Sequence, residues 1–204
     1  MRLGILGGTF DPIHVGHLII AEEARVRLSL EEVVFIPTGQ PWLKAVQPVS
    51  PGELRLQMVR LAVAENPFFR ASALELERPG PTYTVDTLAA VHKEWGPGVE
   101  VYFIMGTDTL VDLPRWKEPR RFLELCVPVV YARPNHSREA WEELERQLPG
   151  LGERVRRIET PLIGVNGTEI RRRVACGISI RYLVPARVER FIAEHGLYRA
   201  AGAE

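Results

Sequence analysis

The chain has 204 residues, of which 26 are basic and 26 acidic, for a formal net charge of zero. That balance removes the electrostatic ground for a nucleic-acid scaffold or for attachment to an anionic membrane surface, so any phosphate recognition has to be local. The only cysteines, Cys126 and Cys176, form neither a disulfide framework nor a C-x-x-C site and fit a reducing, cytoplasmic setting, and no segment approaches the ~20 apolar residues of a membrane span.

Short β-rich runs alternate with amphipathic stretches, the pattern of βαβ units and a parallel sheet. The first strand is expected over residues 3–6 and the first helix over 16–28. A strand over 33–37 leads into the longest irregular segment, 37–52, and then a helix over 51–64. Strands over 69–73 and 99–105 flank a helix over 85–95. Helices over 120–125 and 138–148 alternate with strands over 127–132 and 155–159, and two helices, 168–175 and 185–195, close the chain. Asn166 and Thr168 are cap residues for the first of these; Pro185 suits the start and Gly196 the end of the last. No repeat or linker divides the chain, so the expectation is one α/β domain, a Rossmann-like parallel sheet flanked by helices, with a small helical C-terminal portion at about 166–204.

The most informative stretch is GGTFDPIHVGH, residues 7–17, between the first strand and the first helix. In an open parallel sheet the first strand-to-helix turn is the usual phosphate cradle. Gly7 and Gly8 let backbone N–H groups approach a ligand, and the following helix offers N-terminal donors and a partial positive charge. Neither G-x-G-x-x-G nor G-x-x-x-x-G-K-[ST] is present. In their place His14 and His17 stand three apart at the helix entry, able to share one face that Gly16 keeps open. A lone histidine there is usually a cap; two in a Gly-rich turn point to donors aimed at developing phosphate charge. No third or fourth ligand stands nearby for a zinc site, and no metal-ligating side chains are assigned.

Further along, Asp108 follows Gly106 at the end of a strand, where it could accept from a ribose hydroxyl or cap a helix; Trp116 is by type most often a core residue. Tyr83 and Thr84 open a helix whose backbone N–H groups could hold a carboxylate, against the plainer reading of an N-cap by Thr82 or Thr84. Thr168 and Arg171 can grip phosphates; Arg172 and Arg173 read as solvated surface.

The opening stretch resembles the signature of the nucleotidyltransferase superfamily with a (T/H)xGH motif, and is most similar to that of bacterial nicotinate-nucleotide adenylyltransferases. ELRLQMVRLAV, PTYTVDTL, FIMGTDTLVDLPRWKEP, YARP, GTEIRRRV and RYLVPARVERFIAEHGLY follow in family order along nearly the whole chain. The histidine motif alone is shared with pantetheine-phosphate adenylyltransferases, cytidylyltransferases and class I aminoacyl-tRNA synthetases; the middle segments discriminate. The resemblance implies transfer of the adenylyl group of ATP to nicotinate mononucleotide, with Mg²⁺ held mainly by the ATP phosphates and room for a homo-oligomer. It implies ATP contacts from Gly7, Gly8, Thr9, Phe10, His14, His17, Gly106, Asp108, Asn166, Thr168 and Arg171. It also implies contacts to the second substrate from Tyr83, Thr84, Trp116 stacked on the pyridine ring, Lys117, Lys44 and, more weakly, Arg133. His14, His17, Lys44 and Arg171 would carry the chemistry. The chain departs from the family pattern where Asn166 and Gly167 replace two serines and where PWLK replaces P-P-H-K before Lys44. Rival readings are a sister enzyme acting on nicotinamide mononucleotide or phosphopantetheine, and a non-catalytic nucleotide sensor.

Overall fold

The computed structural model describes residues 1–41, 49–131, 138–161 and 163–199. In chain order the elements begin with β1 (Arg2–Gly8), α1 (Val15–Leu28), β2 (Glu32–Pro37), β3 (Gln40–Pro41), α2 (Gly52–Val63), β4 (Phe69–Ala71), β5 (Pro81–Thr82) and α3 (Thr84–Trp95). They continue with β6 (Glu100–Gly106), α4 (Thr107–Val111), a 3₁₀ turn over Leu113–Arg115, α5 (Pro119–Leu125), β7 (Val127–Tyr131) and α6 (Arg138–Gln147). The last are α7 (Leu151–Arg154), β8 (Arg156–Ile158), α8 (Gly167–Ala175) and α9 (Ala186–Glu194).

Six strands form one parallel sheet in the order β4-β2-β1-β6-β7-β8. Strands buried on both faces need apolar residues at successive positions rather than in alternation, and β1, β2, β6 and β7 read that way. On one face Leu6, Phe35, Ile104 and Val129 share a core with Ile20 of α1, Met58 of α2, Ile170 of α8 and Val188 of α9. On the other, Ile5, Val34, Phe103 and Val130 share a core with Leu88 of α3, Phe122 of α5 and Leu144 of α6. Each fully buried side chain of this size contributes about 1.5–3 kcal/mol, which is the reserve against which a strained turn can be held. The fold is the expected Rossmann-like α/β arrangement. Among the described residues, no helix is long and apolar enough to cross a membrane.

The chain builds outward from β1 through β2 to β4, then returns to lay β6 on the other side of β1. Strand order therefore reverses between β1 and β6, and ligands of open parallel sheets bind in the crevice at such a reversal, beyond the carboxyl ends of the strands. Gly7 and Gly8 end β1, and Gly106 ends β6.

Three features differ from the sequence expectation. The two-residue strands β3 and β5 pair in parallel, Gln40 with Pro81 and Pro41 with Thr82; two residues, one a proline, carry no periodic signal. α4 follows β6 without a loop, Gly106 serving as its N-cap. α7 is a single turn between α6 and β8. The small β3/β5 pair matters because it bridges β2 and α3. Thr38 donates its N–H to Gly8 O at 2.8 Å, Gly39 N–H donates to Glu75 Oε2 at 3.4 Å, and Thr82 Oγ1 donates to Gln40 O at 3.2 Å.

Gly39 is held in that bridge by lack of space: a Cβ there would lie 2.5 Å from the backbone oxygen of Glu75 and 2.9 Å from Thr82 Cγ2. A backbone neighbour cannot swing away, so Gly39→Ala is expected to lower unfolding free energy by about 1–3 kcal/mol. Urea denaturation checks this; an unchanged midpoint would mean that the bridge is looser than described.

Candidate functional site

His14 is the N-cap of α1, with extended backbone at φ −143° and ψ 169°. Its side chain is buried, and its ring stacks on that of His17 with centroids 3.7 Å apart and planes 23° apart. The i, i+3 spacing at the helix entry thus brings the two rings together on one face. Gly16 permits the stack, since a Cβ there would sit 3.0 Å from His14 Nδ1. The His14 backbone N–H donates to His17 Nδ1 at 3.2 Å. An amide N–H can only donate, so Nδ1 of neutral His17 must be the bare nitrogen and Nε2 must carry the proton. The Phe10 and His17 rings meet in a T-shaped contact, with centroids 4.9 Å apart.

The N-terminus of α1 is not wholly open to an anion, because Val15 donates its N–H to Leu183 O at 3.0 Å. The C-terminal segment thus takes one of the donors that the sequence assigns to a ligand. The rest of the turn is stretched between partners: Phe10 is buried and sits at φ 49°, a left-handed conformation that is costly for a bulky side chain. On either side of it, Thr9 O accepts from Arg55 Nη1 at 2.8 Å and Asp11 O accepts from Arg171 Nη1 at 2.7 Å.

That last bond brings α8 to the turn. Asn166 is the N-cap of α8 and its side chain accepts from Glu169 N–H at 2.9 Å, so it caps the helix as expected of its type. Gly167 lets α8 approach: a Cβ there would be 3.0 Å from Asp11 O. Thr168 does not cap; its Oγ1 lies 3.4 Å from Arg171 Nη2. Arg172 and Arg173 lie on the outer side, both bound to Glu169, whose carboxyl they hold down at about 2.

A second group of residues stands at the start of α3. Its N-cap is Tyr83, extended at φ −116° and ψ 137°, with no side-chain capping bond. Neither Thr82 nor Thr84 is the cap: Thr82 is buried and donates to Gln40 O. Lys117 Nζ lies 3.0 Å from Asp86 Oδ2 in the first turn of α3 and 4.9 Å from the centre of the Tyr83 ring. Trp116 is half-buried, meeting Phe122 edge-on at 5.3 Å and Phe103 at 6.2 Å. The core reading and the ligand-stacking reading of that tryptophan are therefore compatible. Asp108 is exposed in the first turn of α4 and is not its cap, which is Gly106.

Behind α3, the Glu75 carboxylate is buried and accepts from Thr87 Oγ1 at 2.8 Å and from Gly39 N–H. Burial pushes its pKa above the usual carboxylate range, partly offset by these donors and by Arg78. Thr87 also bonds Tyr83 O, at 3.3 Å, so Glu75 reaches the N-cap of α3 through one hydroxyl.

Lys44 and Arg133 lie outside the described residues. No motif or spacing in the sequence marks a role for Asp11, Ser50, Arg55, Glu75 or Tyr198, which the fold brings in from distant segments. Asp11 alone stood inside the motif. Among the described residues no group of three or more His, Cys, Asp or Glu side chains is placed to hold a metal ion.

The description Cytidylyltransferase-like matches residues 5–173. A protein of Roseiflexus sp. strain RS-1 named "Probable nicotinate-nucleotide adenylyltransferase" is 49% identical over 198 residues, covering 97% of this chain and 98% of its own. One of the same name from Dehalococcoides mccartyi is 44% identical over 198 residues, covering 97% of both chains. A solved Plasmodium falciparum nicotinic acid mononucleotide adenylyltransferase complexed with NaAD shares the fold at TM-score 0.77 and 18% identity, covering 97% of each chain. The chain belongs to the cytidylyltransferase-like family and, within it, to the nicotinate-nucleotide adenylyltransferases.

Glu75 also supplies a test by pH. A carboxyl whose pKa is higher folded than unfolded stabilises the fold fully below its unfolded pKa, and that contribution is lost as pH rises through the folded value. Glu75→Gln keeps an acceptor oxygen and removes the charge. The variant should match the parent at acid pH and gain stability relative to it toward neutral pH, read from melting temperature against pH; a variant less stable at neutral pH than at acid pH, relative to parent, would show that Glu75 is held ionised instead.

Proposed function

We propose that this member of the family joins the adenylyl group of ATP to nicotinate mononucleotide, giving deamido-NAD and pyrophosphate in the synthesis of NAD. The observation that supports it most is the pairing of the stacked-histidine turn after β1 with the N-terminus of α3, whose N-cap Tyr83 makes no side-chain capping bond, beside Trp116 and Lys117. One fits the phosphates of a nucleoside triphosphate; the other fits a flat ring bearing a carboxylate.

In this reading an oxygen of the mononucleotide phosphate forms a bond to the α-phosphorus of ATP while the bond from that phosphorus to the bridging β-oxygen breaks. The electron pair leaves with pyrophosphate, and no side chain is covalently attached. Catalysis is positioning and charge stabilisation. His17 donates its Nε2 proton to a phosphate oxygen, with His14 stacked beside it. Arg171 takes charge on the β and γ groups, with Lys44 as its companion and Arg133 as a weaker one. Gly7, Gly8, Thr9 and Phe10 shape the turn, Asn166 and Thr168 the start of α8, and Gly106 and Asp108 the side nearest the ATP ribose.

The N–H groups of α3 after Tyr83, at Thr84 and beyond, donate to the nicotinate carboxylate. Lys117 adds positive charge there, and Trp116 stacks on the pyridine ring. We take Mg²⁺ to arrive with ATP and to be held by its phosphates and water, where it neutralises phosphate charge. We also read the chain as one nucleotidyltransferase domain, since Ile170 and Val188 of the C-terminal helical portion share a core with Phe10. A cytoplasmic setting suits its free cysteines, Cys126 and Cys176.

The test is pyrophosphate release from ATP and Mg²⁺ with nicotinate mononucleotide, nicotinamide mononucleotide or phosphopantetheine. A helix N-terminus with charge-assisted donors favours the acid over the neutral amide, expected at about tenfold or more in kcat/KM. His17→Ala should lower kcat by about 100- to 1000-fold with an unchanged circular dichroism spectrum. Preference for another acceptor would overturn the substrate; normal turnover in the variant would overturn the mechanism.

A further inference from the structure

The turn that carries the two histidines is held from outside by a buried polar network. Asp11 and Arg55 are 7% and 3% exposed, among the least accessible charged groups described. Tyr198 Oη donates to Asp11 Oδ1 at 2.6 Å, and Ser50 N–H donates to Asp11 Oδ2 at 3.1 Å. Arg55 Nε donates to Ser50 O at 2.9 Å while its Nη1 reaches Thr9 O. Arg171 closes the set on Asp11 O. Four residues from three segments, 50–55, α8 and the stretch after α9, thus grip residues 9 and 11, and the residue between them, Phe10, is the one at positive φ whose ring packs on His17.

A bulky residue keeps such a conformation only where its surroundings over-determine it. Apolar packing alone does not fix the two flanking carbonyls, whereas a guanidinium fork does, because its donors have fixed directions. Burial lowers the pKa of Arg55, and the nearby charge of Asp11 and the Tyr198 and Glu75 side chains offset this. Burial and the Asp11 carboxylate likewise keep the Tyr198 hydroxyl protonated, hence a donor.

We propose that Tyr198 and Arg55 are positioning residues for adenylyl transfer, which hold Thr9 and Asp11 so that the Phe10–His17 contact and the Arg171 guanidinium stay set for the triphosphate. This rests on the proposed reaction for its kinetic arm only. The network touches the triphosphate side. The start of α3 has hydrogen bonds of its own through Gly39, Glu75, Thr82 and Thr87, and the charge of Glu75 reaches Arg55, a charge relation that Arg55→Lys preserves. Loss of the network should therefore move ATP parameters and leave those of the second substrate in place.

The test uses Tyr198→Phe, which removes one hydroxyl and keeps the ring, and Arg55→Lys, which keeps charge and loses the fork. Calorimetric titration with a non-hydrolysable ATP analogue should show binding weakened about three- to tenfold in Tyr198→Phe, part of the worth of a hydrogen bond to a charged group with the rest lost from stability, and weakened further in Arg55→Lys. In steady state, kcat/KM for ATP should fall by a similar factor, with KM for nicotinate mononucleotide within about twofold of parent. The double variant should lose less than the product of the single losses, because both act on one turn. Unchanged analogue binding in folded Tyr198→Phe would overturn the proposal, as would equal changes in the KM of both substrates that track a lowered melting temperature. If Arg55→Lys does not fold, Tyr198→Phe decides alone. If the parent makes no dinucleotide from nicotinate mononucleotide, the substrate reading falls, and the analogue titration still decides whether the network positions the turn.

Discussion

A backbone amide can donate and cannot accept, and the site depends on one such group: the His14 N–H, 3.2 Å from His17 Nδ1. It fixes which nitrogen of His17 bears the proton, and with it what the ring can offer a phosphate. The bond exists only if His14 is the N-cap of α1 and the two rings stack, which needs a glycine at position 16 and a chain direction set by the end of β1. That direction is set by a sheet whose order reverses beside β1. The cores on both faces of the sheet supply the rigidity, and the strained Phe10 shows where part of it is spent.

The same sheet edge organises the second region through backbone contacts rather than through a long loop. Thr38, Gly39 and Gln40 link the end of β1 to Glu75 and to the residues that precede α3. Each region keeps hydrogen bonds of its own, and the two are joined by this link and by the charge of Glu75 near Arg55. A transferase needs such bonds in each region, since it must align two substrates whose charges differ and whose binding has to be tuned apart.

The parts of the site that depend on local spacing were legible in the sequence. His14 and His17 fall on one face because three residues is close to one helical turn, and the capping role of Asn166 follows from its place before a short helix. The parts that depend on partners remote in sequence were not legible. Tyr198 meets Asp11 across 187 positions and Arg171 meets it across 160, and no composition or period marks which arginine among many, here Arg55, will be buried. Lys117 shows the same limit: the family resemblance groups it with Tyr83 and Thr84 around the second substrate, but nothing in the sequence says that Asp86 engages it. Thr82 and Thr84 were reasonable caps by type, and the chain bonds one of them to β3 instead because the β3/β5 pair is too short to announce itself.

Nitrogen-15 NMR of the histidine rings in the ligand-free protein tests the central geometry most directly, since the two ring nitrogens give different shifts when bare and when protonated. With His17 assigned by comparison with His17→Ala, the expected spectrum is that of a neutral ring with a bare Nδ1 and a protonated Nε2. A neutral ring with the proton on Nδ1 would mean that the His14 amide does not donate to it, and the donor on which the phosphate chemistry is built would not be there.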